Sequence, residues 1–387
     1  MADAGLLTEE THPRLTDRRG LSAAWLFPVC GPPVRNGRVR CEGGRVVDVS
    51  RADGAADLPT SAVLPATVNL HTHLELSDIP GPVGGGLPLD RWVEEVVRYR
   101  AFRGRTGDEP AATAMGYEET RGHGSAAVLD VAQRVEPRRP GVVAAYEVLG
   151  LDPERASSRL KSVLEQTGGA PEALSPHAPY SLAAAVRDDV VRLSADRGCL
   201  VATHLAESPA ERRLLERGDG PFADLLRRMG VWREGVFGGR TVAGELDALA
   251  DAARLVVAHG NDLRPDEYER LARPDAAVAF CPRTHAFFGH GRHPFAEMLA
   301  AGVTVGLGTD SRASNPDLSV WNEVRFLRAS RPDVPPPALV EMATRNGAAA
   351  MGLSDRLGAV AAGSQAAFLR VDLARPDAAD PYEALFG

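Results

Sequence analysis

TVNLHTHLELS, residues 67–77, is an apolar run that ends in two histidines one residue apart. In a strand, residues i and i+2 point the same way, so His71 and His73 can face one point and hold one ion there. The pair alone decides little. What decides is whether other apolar runs in the chain end in the same fashion. SAVLPATVNL (61–70) leads into the pair. SAAVLDV (125–131), GVVAAYEVLG (141–150), EALSPH (172–177), CLVATH (199–204), RLVVAH (254–259), AAVAFC (276–281) and VTVGLGTD (303–310) follow. These eight runs are rich in Val, Ala and Leu without polar alternation, as buried parallel strands are.

Helical patterns fall between them. LPLDRWVEEVVRYRAF (87–102) is amphipathic, with Asp90 suited to its N-terminus. SLAAAVRDDVVRLSADRG (181–198) reads as a helix capped by Ser181 and stopped by Gly198. Eight strands alternating with helices predict an α/β fold, a (β/α)8 TIM barrel over residues 66–354. No repeat of 20–50 residues is visible. Residues 1–20 read as a polar N-terminal tail. Residues 21–65 and 355–387 read as short strands with turns at Asn36-Gly37 and Gly43-Gly44. The two ends of the chain are therefore expected to pair into one small β-sandwich domain.

Composition narrows the function. The chain of 387 residues carries a net charge of −8, and no basic stripe offsets it, which argues against a nucleic-acid partner. Runs such as ERRLLERGDG (211–220) mix signs and read as solvated helix faces. No apolar run reaches membrane-spanning length. The stretch DRRGLSAAWLFPVC (17–30) resembles an export signal only loosely, since Pro28 interrupts it and no A-x-A site follows. The four cysteines, Cys30, Cys41, Cys199 and Cys281, form no CxxC pattern, as expected of a cytoplasmic protein.

In such a barrel the site lies at the C-terminal ends of the strands. Five of the ten histidines end a strand there: His71 and His73, His177, His204 and His259. Glu147 and Asp310 join them. His71, His73, His204 and Asp310 make three imidazoles and a carboxylate. That set suits one Zn²⁺ or Fe²⁺ ion with a position left open for water. A bound ion lowers the pKa of its water toward neutrality, and the chemistry then needs a proton carrier. Glu207, three residues after His204, can hang over the ion and protonate an sp² centre; the plainer alternative is a charge at a helix N-terminus. His259 can orient the water and stabilise developing charge. The one lysine, Lys161, lies in a helical pattern rather than at a strand end. No carboxylated lysine can then bridge two ions, and one divalent ion per chain is expected. Glu147 is left with three readings: a substrate contact, support for a second ion, or a buried hydrogen-bond partner. The zinc deaminase pattern H-x-E with P-C-x-x-C is half matched by His73-Leu74-Glu75, but its cysteine half is missing.

TVNLHTHLELS, SPHAPYSL, THLAES, VVAHG, FCPRT and GLGTDSRASNPDLSVWNE, taken in order, resemble the motifs of the amidohydrolase superfamily. They are most similar to its aminohydrolase branch of nucleoside, nucleobase and triazine deaminases and chlorohydrolases. The resemblance runs from about residue 30 to the end. It implies metal binding by His71, His73, His204 and Asp310 and proton movement by Glu207, His259 and Asp310. It implies substrate contact by His177 and a pocket wall at Trp92, whose alternative is helix core. A homodimer is a further expectation of the family, and a small-molecule substrate is implied. The loop CPRTHAFFGHGRHPF departs from the branch pattern. Of its His285, His290 and His293, only His285 is read as a substrate contact. Relatives acting on S-adenosylhomocysteine hold ribose hydroxyls with a glutamate nine residues after the tryptophan, a spacing that lands here on Ala101. HTHLELS with CPRTHAFFGH looks more like a subgroup associated with aminodeoxyfutalosine deamination. The implied reaction is hydrolytic deamination of an amino-substituted heterocycle. The alternatives are C–N or C–Cl hydrolysis of a non-purine on the same site, and a barrel that only binds.

Overall fold

The computed structural model describes residues 4–8, 12–17, 19–106 and 108–387; the remaining residues of the expected tail, 1–3, 9–11 and 18, lie outside them. The strands are β1 (Ala4–Thr8), β2 (Leu21–Leu26), β3 (Val34–Glu42), β4 (Arg45–Arg51), β5 (Leu58–Pro65), β6 (Thr67–Thr72), β7 (Ser125–Ala132), β8 (Val142–Val148), β9 (Ala173–Pro176), β10 (Leu200–Leu205), β11 (Arg254–His259), β12 (Ala276–Phe280), β13 (Thr304–Leu307) and β14 (Ala367–Asp372). They form a six-stranded sheet of order β1-β14-β5-β2-β3-β4 and an eight-stranded sheet running from β6 to β13 in chain order. By packing, the chain divides into two units, Met1–Leu70 with Tyr117–Val128 and Leu318–Gly387, and His71–Gly116 with Leu129–Asp317.

The smaller sheet is built from both ends of the chain, as expected. Its core gathers Leu7, Leu15, Leu21, Val39 and Phe368. The tail contributes a strand, since Leu6 and Leu7 pair with Leu369 and Phe368 and Leu7 buries its side chain. Gly43 and Gly44 turn the β3–β4 hairpin at φ +56° and +75°, the left-handed backbone that two-residue hairpin loops need. Asn36-Gly37, also read as a turn, instead lies inside β3. Asn36 takes φ +52°, and its amide donates to the carbonyls of Ala52 and Gly54 at 2.8 and 2.7 Å. Gly37 is needed for closeness, because a Cβ there would stand 2.3 Å from that of Leu26. The run SAVLPATVNL is divided at Ala66 between β5 and β6, so it serves both sheets.

The larger sheet is the barrel. Strands β8 through β13 pair in parallel, each with the next. A parallel bridge between Thr72 and Asp310 joins the first strand to the segment after the last. There the Thr309 and Asp310 N–H groups both donate to the His71 carbonyl at 3.0 Å. Helices follow the strands. In α1 (Leu89–Thr106) Leu89, Trp92 and Val96 are buried, one apolar stripe at helical spacing. Next come α2 (Glu109–Gly122), α3 (Pro153–Gln166), α4 (Ala184–Arg197), α5 (Pro209–Arg217) and α6 (Pro221–Arg228). Helix α4 ends at Gly198, φ +71°, as read from the sequence, but it starts after Ala183 and has no side-chain cap. The Ser181 hydroxyl is engaged elsewhere, 2.5 Å from His177 Nδ1. Among the described residues no helix is long and apolar enough to cross a membrane, and the four cysteines lie outside any disulfide.

Candidate active site

Strand ends deliver the polar residues. His71 is on β6 and His73 follows it, His204 is on β10, His259 closes β11, and Asp310 follows β13. The ligand atoms of His71, His73 and His204 lie within 4.8 Å of one another. The Nε2 atoms of His73 and His204 are 3.3 Å apart. Asp310 Oδ1 stands 3.7 Å from His71 Nε2 and 3.6 Å from His73 Nε2. All four residues are at most 7% exposed.

The protonation states favour a cation at this point. His204 Nδ1 is 2.9 Å from the His177 carbonyl, which can only accept, so the lone pair is left on Nε2. His71 Nε2 has no hydrogen-bond partner although it is buried. Burial, then repulsion from His204, holds His71 and His73 well below the usual imidazole range. Burial, then repulsion from His177, brings His204 to about 3. Neutral imidazoles with lone pairs facing a shared carboxylate fit a divalent ion.

Around these ligands sits a ring of carboxyl and backbone contacts. Asp310 Oδ2 accepts from Ser314 Oγ at 2.7 Å, and Ser314 meets Thr284 at 3.1 Å. Glu207 Oε1 is 3.6 Å from His259 Nε2. Burial raises the Glu207 carboxyl well above the usual range, with help from Asp310 and Glu211. His259 is held neutral mainly by burial, and its carbonyl is 2.9 Å from His293 Nε2. Ala206, His259 and Asp310 take φ of +54°, +68° and +54°. Such backbone costs about 1–3 kcal/mol at a residue other than glycine. Within the unit holding this site, no other described non-glycine residue adopts it. Strain is gathered at the three strand ends that carry the polar groups.

A cavity of about 240 Å³ opens over His73, His204, Glu207, His259 and Asp310. Trp92 and His177, both singled out in the sequence, line it. The Trp92 Nε1 donates to the Ala313 carbonyl at 3.3 Å. Glu147 does not line the cavity. It is buried behind His177, with Oε1 3.6 Å from His177 Nε2, and it accepts from Gln133. His285 also stands off the cavity, and its Nε2 donates to the Gly291 carbonyl at 2.6 Å. The chemistry of the loop after β12 is mostly packing, with His293 stacked on Phe280 at 3.7 Å between ring centres.

Other residues at the site went unread. Arg100 and Tyr180 line the cavity, and Arg100 is paired with Glu75 at 2.7 Å. Glu211 and Asn261 hold the main chain of Glu207. For Glu211 a signal existed, because Ser208-Pro209-Ala210-Glu211 has the spacing of a helix capping box. For Asn261 there was none, since its partner is 54 residues away in the chain; Ser314 reaches Asp310 from four residues on, inside the motif GLGTDSRASNPD.

The comparisons agree with this arrangement. A Deinococcus radiodurans protein named aminodeoxyfutalosine deaminase is 31% identical over 324 residues, covering 77% of this chain and 75% of that protein. A Pyrococcus abyssi protein named 5-methylthioadenosine/S-adenosylhomocysteine deaminase is 27% identical, covering 87% of this chain and 80% of its own. Among solved structures, an adenosine deaminase from Xanthomonas campestris with bound zinc superposes with a TM-score of 0.71 at 22% identity, covering 94% of this chain and 87% of that one; that likeness is one of fold. The model of the amidohydrolase family matches residues 62–387. With His71, His73 and His204 gathered at the mouth of an eight-stranded barrel, this chain belongs to the amidohydrolase family.

Proposed function

We propose that the protein is a metal-dependent hydrolytic deaminase of an adenine nucleoside, with aminodeoxyfutalosine the first candidate. The observation that carries this is a buried carboxyl, Glu207, held in its acid form at the end of an apolar cavity and beside the histidine cluster. One ion, Zn²⁺ or Fe²⁺, would be held by His71, His73, His204 and Asp310, and when bound it supplies a water activated at neutral pH. Lys161 is exposed on α3 and paired with Glu165 at 3.8 Å, which favours a single ion.

The chain's own groups do the rest. Glu207 gives its proton to the ring nitrogen beside the carbon that bears the amine. Water adds to that carbon, and His259 and Asp310 hold the incoming oxygen and take one of its protons. That proton passes to the amine as the C–N bond breaks, the remaining hydroxyl proton returns to Glu207, and ammonia leaves the oxo product with its ring nitrogen protonated. His177 and Trp92 line the route as substrate contacts. Glu147 stands behind His177 and off the cavity, and the His177 ring is held by Ser181.

The test is ammonia release from the metal-loaded protein against aminodeoxyfutalosine, adenosine, 5′-deoxyadenosine, methylthioadenosine, S-adenosylhomocysteine, guanine and cytosine. A hit confined to substituted adenine nucleosides is expected, and Glu207→Gln should abolish most of it. Silence across the panel with metal bound would move the reading to C–N or C–Cl hydrolysis of a non-purine.

A further inference from the structure

The peptide that carries Glu207 is held from both sides. Helix α5 begins at Ser208, whose hydroxyl accepts the Glu211 N–H at 3.3 Å. The Glu211 side chain turns back past the cap, and its Oε2 accepts the Glu207 N–H at 2.8 Å. From the loop after β11, Asn261 Nδ2 donates to the Glu207 carbonyl at 2.9 Å. The Asp262 N–H donates to the Ala206 carbonyl at 2.8 Å. Ala206 itself is left-handed at φ +54°, a conformation that persists only where its surroundings over-determine it.

Helix packing does not explain an acid at position 211. Glu211 is fully buried, and Ser208 already caps the helix. The neighbouring Arg212 turns away to Asp262 and Glu267. Among the described residues no cation is ion-paired with Glu211, and its Oε1 has no hydrogen-bond partner there. A lone buried carboxyl is costly unless its bonds matter, and the hydrogen bond it makes is to the main chain of Glu207. Burial pushes this carboxyl up to about 8, so near neutral pH it is mostly the neutral acid, a shape that glutamine copies.

We infer that Glu211, with Asn261 opposite it, is a positioning residue that clamps the Glu207 peptide and so aims the Glu207 carboxyl into the cavity. This rests on the reading of Glu207 as the proton carrier. Loss of the clamp lets the 206–207 turn relax and moves the carboxyl off its line, and a displacement of about 1 Å in a reacting group can cost about 100-fold in rate.

The experiment measures kcat, KM, bound metal and Tm for metal-loaded Glu211→Leu, Glu211→Gln and Asn261→Ala. Glu211→Leu should lose about 100-fold in kcat while KM and metal content hold. Glu211→Gln keeps the acceptor oxygen and should recover most of the rate. Asn261→Ala, at a half-buried position, should show a smaller fall in kcat of the same kind, and it decides the matter if Glu211→Leu does not fold. Unchanged kcat in both Glu211→Leu and Asn261→Ala overturns the clamp, as does a glutamine variant as slow as the leucine one. Glu207→Gln keeps the two questions apart. Full ammonia release from it removes the reading beneath, whereas its loss alongside normal Glu211 variants removes the clamp alone.

Discussion

The two ends of one cavity are built on opposite terms. At the inner end, His73, His204, Glu207, His259 and Asp310 are at most 7% exposed. Their donors are fixed by side chains and by left-handed backbone at Ala206, His259 and Asp310. At the mouth, Val97, Leu149, Met229 and Val231 line the same cavity and are 38%, 44%, 39% and 43% exposed. The inner groups hold one another neutral and in place, so changing one leaves a buried polar group unmatched. The mouth is aliphatic surface, where a change of size alters shape but strands no charge. In the proposed function the inner end performs the reaction and the mouth selects the substituent.

The largest break in this contrast should come at the inner end. His204→Ala should lose bound metal and lower ammonia release by roughly 1,000-fold or more. Ser314→Ala, which releases Asp310 Oδ2 and the Thr284 hydroxyl, should lose about 10–100-fold in metal affinity or rate. Metal analysis beside turnover checks both, and an unchanged Ser314→Ala would mean that Asp310 needs no holding.

A smaller effect is read from pH. The Glu211 carboxyl sits near 8 in the folded chain against a usual 4.5. The folded state therefore binds more protons between these values, and stability from this group is full below pH 4.5 and lost as pH rises through 8. Glu211→Gln lacks that loss, so its Tm should gain on wild type between pH 5 and pH 8.5. A constant difference across the range would place the carboxyl in its charged form throughout.

At the mouth the change should be smallest. Leu149→Ser and Met229→Ser remove apolar contact, and each should raise KM for an apolar-substituted nucleoside by about 3- to 10-fold with kcat held. Adenosine, which has no such substituent, should be unaffected. A fall in kcat instead would join the mouth to the inner end.

Much of this was legible along the chain because it is periodic or local. The apolar runs that end in His71, His204 and His259 announce strands whose last residues share one rim. Gly198 ends its helix as read, and the alternation of strand and helix points to the barrel. Local signals failed where a distant partner competed. Ser181 has the chemistry of a cap but bonds His177, and Asn36-Gly37 has the chemistry of a turn but lies within β3 to let Leu26 approach. His285 had the right residue type and faces a neighbouring carbonyl.

The sequence by itself determined the barrel, the histidines gathered at its strand ends and the presence of an acid after His204, since each depends on residue type at a fixed short spacing. Only the tertiary structure decided which groups support them. Glu147 stands behind His177, Thr284 beside Ser314, and Asn261 across from Glu211, 50 positions away in the chain. A hydrogen bond is made where two segments meet in space, and that meeting is set by strand register and loop course, which no local pattern encodes.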